Sequence, residues 1–403
     1  MAVAIRALCS VAMSKWVAVF FGPAGTALFG QFINLFGAYT VVANDGLARA
    51  MVKEGAHFYA VGDEGRLSET ISSACILMFF IFGLQAVVLF GLAQSTPWLE
   101  PFYGAPIWWF IIPGFSALAA TFFCSSLFLI RGQTNLQAMA VTSISVGALL
   151  GLIAATAFGA SVLTCFVFLT LGQILVGTAW ILWHSHHIRS IFIFFKWNSV
   201  IARKMAGFTM AVASSALLAK IADYGIVGWA IRIHGAEPVG IWVAMNRLAD
   251  SVNIPVLAIS NGILLPLLSA NLHNIKALRE IIRPVFRQGF ALTFIGFGIL
   301  FALYPWVMQM LFSADFVANS SWVSWQVLGD FFRSNAFLIA VLSLATGATR
   351  FFFWLEISSV ALFVCLTLSL SGWMGMEGVF LAHAIRYGLY WLVLFARFRS
   401  VLV

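Results

Sequence analysis

Residues 135–183 decide the fold of this chain, and they read NLQAMAVTSISVGALLGLIAATAFGASVLTCFVFLTLGQILVGTAWILW. This stretch contains no Asp, Glu, Lys or Arg. A helix needs about 20 mostly apolar residues to cross the hydrocarbon core of a bilayer. The stretch therefore predicts two consecutive membrane-spanning helices, at 135–158 and 161–183, with almost no chain between them.

The rest of the chain has the same character. Of its 403 residues, 62% are hydrophobic and 9% are charged, whereas about a quarter of the residues of a typical soluble domain are charged. So few charges cannot cover a water-exposed surface, so lipid must surround most of the molecule. The net charge of +8 does not indicate nucleic acid, because the basic residues are spread between apolar blocks. The sequence predicts an all-α, polytopic membrane protein.

Apolar blocks and turn residues predict about twelve membrane-spanning helices. Gly22-Pro23, Pro97, Pro101 and Glu237-Pro238 mark the ends of such blocks. The predicted spans are 1–21, 25–49, 69–93, 106–130, 135–158, 161–183, 205–231, 239–267, 285–311, 321–346, 351–371 and 377–397.

The basic residues predict the orientation, because cytoplasmic loops carry an excess of Lys and Arg. With the N-terminus inside, the outer loops hold Arg232 alone and both termini are cytoplasmic. The cytoplasmic side then holds Arg49, Lys53, Arg66, Arg131, Arg189, Lys196, Arg203, Lys204, Lys276, Arg279, Arg283, Arg287, Arg350, Arg397 and Arg399.

Weak internal similarity predicts two six-helix lobes around a central cavity. Pro23-Ala24-Gly25 leads into the second span, and Pro238-Val239-Gly240 leads into the eighth. Six spans in each half make the halves parallel repeats, which is a transporter architecture. The predicted organisation is an N-terminal lobe at 1–190, an interfacial cytoplasmic linker at 191–204 and a C-terminal lobe at 205–403.

Charged residues lie inside many of the predicted spans, where lipid exposure would cost about 2.5–3.5 kcal/mol for each. They must face a protein interior or a water-filled cavity. Three spans carry a basic and an acidic residue three positions apart, which places both on one helix face. The charged residues within spans are Arg6, Lys15, Asp45, Lys220, Asp223, Arg247, Asp250, Asp330, Arg333, Glu356 and Arg386, and the pairs are Lys220–Asp223, Arg247–Asp250 and Asp330–Arg333.

These charges allow two interpretations. The pairs can neutralise one another and hold the bundle together. Alternatively, they line a cavity that binds an anionic ligand, because a guanidinium grips phosphate through two hydrogen bonds, and that moves a coupling ion. On the second interpretation the substrate-binding candidates are Arg247, Arg333, Lys15, Lys220 and Arg386, and the ion-coupling candidates are Asp250, Asp330, Asp223 and Asp45. His383 shares a face with Arg386 and is a further cavity-lining candidate.

No pattern indicates catalysis, a cofactor or a metal. The five cysteines stand singly within apolar segments, and no Walker loop, nucleophile elbow or H-E-x-x-H occurs. His184-Ser185-His186-His187 ends a span and is better explained as a solvated interfacial cluster than as a metal site. The longest predicted outer loop, 94–105, is too short for an active site, so a membrane glycan polymerase or ligase is disfavoured.

Several segments resemble the Wzx-type flippases of the multidrug/oligosaccharidyl-lipid/polysaccharide exporter superfamily. The likeness runs over nearly the whole chain, and its most specific part is Trp325-Gln326-Val327-Leu328-Gly329-Asp330 with Arg333 after it. The other segments are Phe21-Gly22-Pro23-Ala24-Gly25, Val239-Gly240-Ile241-Trp242 with Arg247 and Asp250, and Thr349-Arg350-Phe351 with Glu356.

The resemblance implies a function. Members move undecaprenyl-diphosphate-linked oligosaccharides, such as O-antigen units or lipid III of enterobacterial common antigen, across the bacterial inner membrane by alternating access. Arg247 and Arg333 would contact the diphosphate-sugar headgroup, and Asp250 the headgroup or the coupling ion. The partners implied are that lipid-linked substrate, membrane lipids, and the glycan polymerase and chain-length regulator of the same pathway, with no nucleic acid.

The chain departs from the family pattern at Thr346, where a Lys is common, and at Val243, where a Gln is common. Relative to the family, the chain is expected to begin inside the first span, through a truncation or a misassigned start. The main competing function is a drug/cation antiporter of the same superfamily, which predicts a more acidic and aromatic cavity. Basic residues are at least as numerous as acids within these spans, which favours the flippase.

Overall fold

The computed structural model describes residues 2–95, 107–187, 196–260, 264, 267–268 and 275–402. Every regular element among them is helical, and this part of the chain contains no strand. The predicted all-α membrane fold is therefore confirmed. The loop predicted at 94–105 lies largely outside the described residues. Of the interfacial segment predicted at 191–204, residues 191–195 lie outside them, whereas 199–204 form the start of a helix. Both stay predictions.

The helices follow one another with short connections. In chain order they are α1 (Ala2–Val41), a π-helical turn (Val42–Leu47), α2 (Ala48–Ala60), α3 (Glu64–Ser95), α4 (Ile107–Ser125), α5 (Leu127–Ile130), α6 (Thr134–Ala157), α7 (Val162–Trp183), α8 (Ser199–His234), α9 (Ala236–Ile259), α10 (Ile275–Leu311), α11 (Ser320–Ala345), α12 (Thr349–Met374) and α13 (Met376–Leu402).

Nine described helices are long and apolar enough to cross a membrane, and the bent α8 makes a tenth. One of the nine runs over Ala4–Ala60, or 57 residues, which is about 85 Å at 1.5 Å per residue and far exceeds one bilayer core. It kinks at Gly22, whose φ of 63° suits glycine, at the predicted boundary between the first two spans. The charged α9 is not among these helices. The predicted count of twelve spans stays a prediction.

The chain folds into two compact units. The first comprises Met1–Trp16 and Leu28–Gly228, and the second comprises Val17–Ala27 and Trp229–Val403. Most of α8 thus groups with the first unit, whereas the sequence-based division places it in the C-terminal lobe. The predicted lobes were defined by internal sequence similarity and not by contacts, so their boundaries stay a prediction.

The first unit is held together by close helix contacts and by aromatic rings. A Cβ on Gly147 of α6 would lie 2.2 Å from the carbonyl oxygen of Gly172 on α7, so only glycine permits this approach. Small residues let membrane helices pack in this way, because lipid leaves no hydrophobic force between them. Phe32 stacks on Phe166 with ring centroids 4.6 Å apart, and Phe115 adds an edge contact at 5.5 Å.

The start of α8 is anchored to α3 of the same unit through Asn198. The side-chain oxygen of Asn198 accepts hydrogen bonds from the backbone N–H groups of Val200 and Ile201 and so caps the helix. Its Nδ2 donates to Glu69 Oε2 at 2.8 Å, and its backbone N–H donates to Ser73 Oγ at 3.0 Å. These bonds explain why the first part of α8 belongs to the first unit.

The second unit has an apolar core between α11 and α13. Ile339 and Leu394 are fully buried there, and Leu338 and Tyr390 are nearly so. The core positions the polar faces of both helices against α9 and α12, where the charged residues of this unit meet.

Candidate functional site

A buried polar network occupies the second unit, and Asp330 on α11 is its centre. Asp330 is 2% exposed. One carboxylate oxygen lies 3.1 Å from His383 Nε2 and 3.7 Å from the guanidinium of Arg333, and the other accepts a hydrogen bond from Gln326 Nε2 at 2.8 Å. A carboxylate in such surroundings needs these partners, because an unpaired buried charge is strongly destabilising.

Gln326 fixes the orientation of this carboxylate and the tautomer of His383. Its Nε2 donates to Asp330 and, at 3.0 Å, to Asn246 Oδ1 on α9. An amide nitrogen has two hydrogens, so both are in use, although His383 Nε2 lies 3.4 Å away. We therefore assign the ring hydrogen to His383 Nε2, which donates to Asp330.

Arg333 joins two helices through two carboxylates. It donates to Asp250 on α9 and lies 3.7 Å from Asp330 on its own helix. The side chain of Asp250 is 51% exposed, while that of Arg333 is 17% exposed. The guanidinium also lies over the rings of Phe337 and Tyr387, at 5.6 and 5.7 Å. The two acids hold the Arg333 guanidinium in place, and the end of the guanidinium that contacts Asp250 stays accessible from outside the network.

Arg386 on α13 is a second buried cation of the network, 8% exposed. Its Nε donates to Ser359 Oγ on α12 at 2.9 Å. Its guanidinium packs against the rings of Tyr387 and Phe363, at 4.8 and 5.0 Å. Tyr387 thus contacts Arg386 and Arg333 and connects the two cations.

Further hydrogen bonds tie the network to neighbouring helices. Ser334 Oγ donates to Asn253 Oδ1 on α9 at 2.5 Å. The hydroxyl of Tyr390 donates to Glu356 Oε1 on α12 at 2.6 Å, which satisfies one of the acids predicted to lie within a span. All four helices α9, α11, α12 and α13 therefore contribute polar side chains.

Gly329 lets α11 approach α13 at the network. A Cβ on Gly329 would lie 2.3 Å from His383 Cδ2 and 3.1 Å from the backbone of Ala384. Any side chain there would push His383 away from Asp330. This explains the Trp-Gln-x-x-Gly-Asp segment: Gln326 and Asp330 share one helix face, and Gly329 admits the histidine.

The structure brings part of the predicted site together. Asp330 and Arg333 form the predicted pair, and Asp250, Arg333 and Arg386 belong to the same network. An electrostatic interaction links Arg247 to Asp250.

The remaining predicted site residues lie in the first unit. Lys15 is exposed on α1, and Asp45 in the π-helical turn pairs with Arg49 at 2.7 Å. Lys220 and Asp223 stand three apart on α8, as the sequence predicts, but within the described chain they make no ion pair. The stem of Lys220 instead packs along α1, where a Cβ on Gly37 would lie 3.1 Å from Lys220 Cδ.

Sequence reasoning missed the contacts between helices. The His383–Asp330 bond, the role of Gln326 and the Arg333–Asp250 bridge join residues far apart in the chain. The only available signals were the face shared by His383 and Arg386 and the presence of Gln326 in the family-like segment. Among the described residues, no three His, Cys, Asp or Glu side chains form a group that could hold a metal ion.

Solved transporters share this fold. An inward-facing multidrug resistance MATE family transporter of the MOP superfamily superimposes with a TM-score of 0.83, covering 98% of this chain and 95% of that chain at 15% identity. The Lipid II flippase MurJ, in an inward closed conformation, gives 0.75, covering 99% and 86% at 14% identity. The chain has the fold of the MOP transporter superfamily.

The sequence itself is similar to flippases. The Lipid III flippases of Escherichia coli (strain K12) and of Shigella flexneri are each 23% identical to it over 363 residues, which cover 87% of this chain and 84% of each relative. This match confirms the predicted likeness of the chain to the Wzx-type flippases. No family model matches.

Proposed function

We propose that this MOP-superfamily protein is a flippase that moves an undecaprenyl-diphosphate-linked oligosaccharide, a lipid III or O-antigen unit, from the cytoplasmic to the periplasmic leaflet. The observation that carries the proposal is the similarity to Lipid III flippases, which covers most of both chains. A fold likeness at 14–15% identity would not by itself separate flippases from drug transporters.

The chemistry of the network supports an anionic substrate. Arg333 already holds carboxylate oxygens of two acids, and a phosphate offers the same acceptor geometry with more charge. The accessible Asp250 side is where a diphosphate would compete. Arg247 stands one helical turn before Asp250, so it would supply a second cation for the same headgroup.

The remaining parts of the proposal concern orientation and energy. Both termini lie in the cytoplasm of a bacterial inner-membrane protein, since the basic residues concentrate on one side. Transport proceeds by alternating access and is coupled to an ion gradient, with Asp250, Asp330, Asp223 and Asp45 as the acids that can carry the ion. A glycan polymerase and a chain-length regulator act on the product.

A drug/cation antiporter is the second candidate, because MATE transporters share the fold. An antiporter for organic cations would need an unpaired acid for its substrate. In this unit, however, the central acid Asp330 is satisfied by Arg333, Gln326 and His383.

Deleting the gene in its own organism tests the proposal. The deletion strain should lose a surface glycan and accumulate its lipid-linked precursor, and the wild-type gene should restore both. Arg247→Ala and the double variant Arg247→Ala/Arg333→Ala should fail at wild-type membrane levels, and Arg333→Lys should restore glycan only in part because Lys lacks the fork. Arg399→Ala, an exposed residue at the end of α13, is the matched control. A normal glycan yield from the double variant would contradict the proposal.

A further inference from the structure

We propose that His383 takes up a proton that compensates the charge of the substrate: it becomes an imidazolium when a substrate phosphate draws Arg333 away from Asp330. This inference rests on the proposed function, since it names the residue that balances the charge of the bound substrate. The sequence pointed instead to acids, and to Asp250 first.

His383 has the contacts that a proton carrier requires. It is 4% exposed, and its Nε2 donates to Asp330 at 3.1 Å. Among the described residues its Nδ1 has no hydrogen-bond partner, so this nitrogen is available for a second proton, taken from water. Histidine is also the side chain whose ordinary titration falls near neutral pH.

The charges around His383 explain why substrate would trigger the uptake. From α9 the network receives Asp250 and the neutral Asn246, and from α11 it receives Gln326, Asp330 and Arg333. From α13, the Tyr387 ring contacts His383, and Arg386 packs on that Tyr387 ring. From α12, the Phe363 ring contacts His383. Arg333 is the only Lys or Arg within 4.0 Å of Asp330 among the described residues.

A phosphate bound to Arg333 would change this balance. It neutralises the guanidinium and repels both carboxylates, so the nearly buried Asp330 loses its cationic partner. Protonation of His383 restores one at hydrogen-bond distance, and the imidazolium is stabilised by the carboxylate beside it. Binding of an anion and uptake of a proton therefore favour each other, and the effect is reciprocal.

Asp250 is less suited to this role. Its side chain is half exposed and is already bound by Arg333. Asp330 has no such exposure, but both of its carboxylate oxygens already accept hydrogen bonds, from Gln326 and His383. The proton is then best placed on the imidazole.

Binding of undecaprenyl diphosphate to the purified protein in nanodiscs tests the inference. For wild type, Kd should rise by up to about tenfold per pH unit above neutrality, as linkage to one proton requires. His383→Gln should bind with little of this pH dependence. The titration of the diphosphate itself is common to both proteins and cancels in the comparison. His234→Gln is the matched control: His234 lies in the same unit but bonds Ser371 at 2.5 Å, so its pH dependence should equal that of wild type.

Calorimetry on the wild type in buffers of different ionisation enthalpy guards against a variant that fails to fold. It should show net proton uptake on binding at pH 7.5, and no uptake would overturn the inference. A folded His383→Gln variant with wild-type pH dependence would also overturn it. If the wild type binds and flips its substrate in either of those cases, the proposed function stands and only the role of His383 falls. If the wild type does not bind undecaprenyl diphosphate at all, both fall.

Discussion

Replacing Arg333 by alanine measures how much its guanidinium contributes to the stability of the second unit. The guanidinium is the shared partner of Asp330, whose side chain is 3% exposed, and of Asp250, whose side chain is 51% exposed. Removing one partner of a buried pair costs about 3–5 kcal/mol, whereas an exposed pair contributes about 0–1 kcal/mol. Gln326 and His383 still bond Asp330, so we expect the unfolding free energy to fall by about 3 kcal/mol, at the low end of that range.

A second substitution tests whether the uncompensated charge is the cause. Arg333→Ala/Asp330→Asn removes both charges, so it should recover at least half of the lost stability but no transport. The assay is denaturant unfolding in mixed micelles, followed by tryptophan fluorescence, with Arg399→Ala expected to stay within about 0.5 kcal/mol of wild type. If the double variant is no more stable than Arg333→Ala, the stability of the unit does not depend on pairing Asp330, and the charge argument fails.

Three further predictions address packing, anchoring and topology. Gly329→Ala should destabilise the second unit by about 1–3 kcal/mol, because its methyl group overpacks against α13, and should reduce transport. Gly372→Ala, whose methyl group meets open space, should change neither stability nor transport. Equal stabilities of the two variants would contradict the close approach of α11 to α13. Asn198→Ala should cost about 1–2 kcal/mol through loss of the α8 cap, measured in the same unfolding assay, and a wild-type value would show that the cap contributes nothing. Reporter fusions after Val403 and within 94–105 should report cytoplasm and periplasm respectively, and the reverse pattern would overturn the orientation.

The sequence predicted the features that depend on one helix at a time. Apolar length gave the helical membrane fold, and the spacing of Asp330 and Arg333 placed both on one face of α11 because residues three apart are neighbours on a helix. The kink at Gly22 coincides with the punctuation that separates the first two predicted spans. These results follow from local geometry alone.

The contacts between helices could not be predicted, because they depend on how each helix is rotated and how closely it packs. Arg333 reaches Asp250 across α9 and α11, and His383 reaches Asp330 because Gly329 opens a space between α11 and α13. The same reason explains why Lys220 and Asp223 make no ion pair although their spacing allows one: Lys220 packs along Gly37, and its stem lies against α1.

The most direct test of the central claim is translocation by the purified wild-type protein in proteoliposomes. The vesicles would contain a lipid-linked oligosaccharide bearing a fluorescent sugar, with a fluorescent organic cation as the competing substrate. We expect the oligosaccharide to cross between leaflets at a rate that depends on Arg247, and the cation not to be moved. Export of the cation without movement of the oligosaccharide would contradict the central claim.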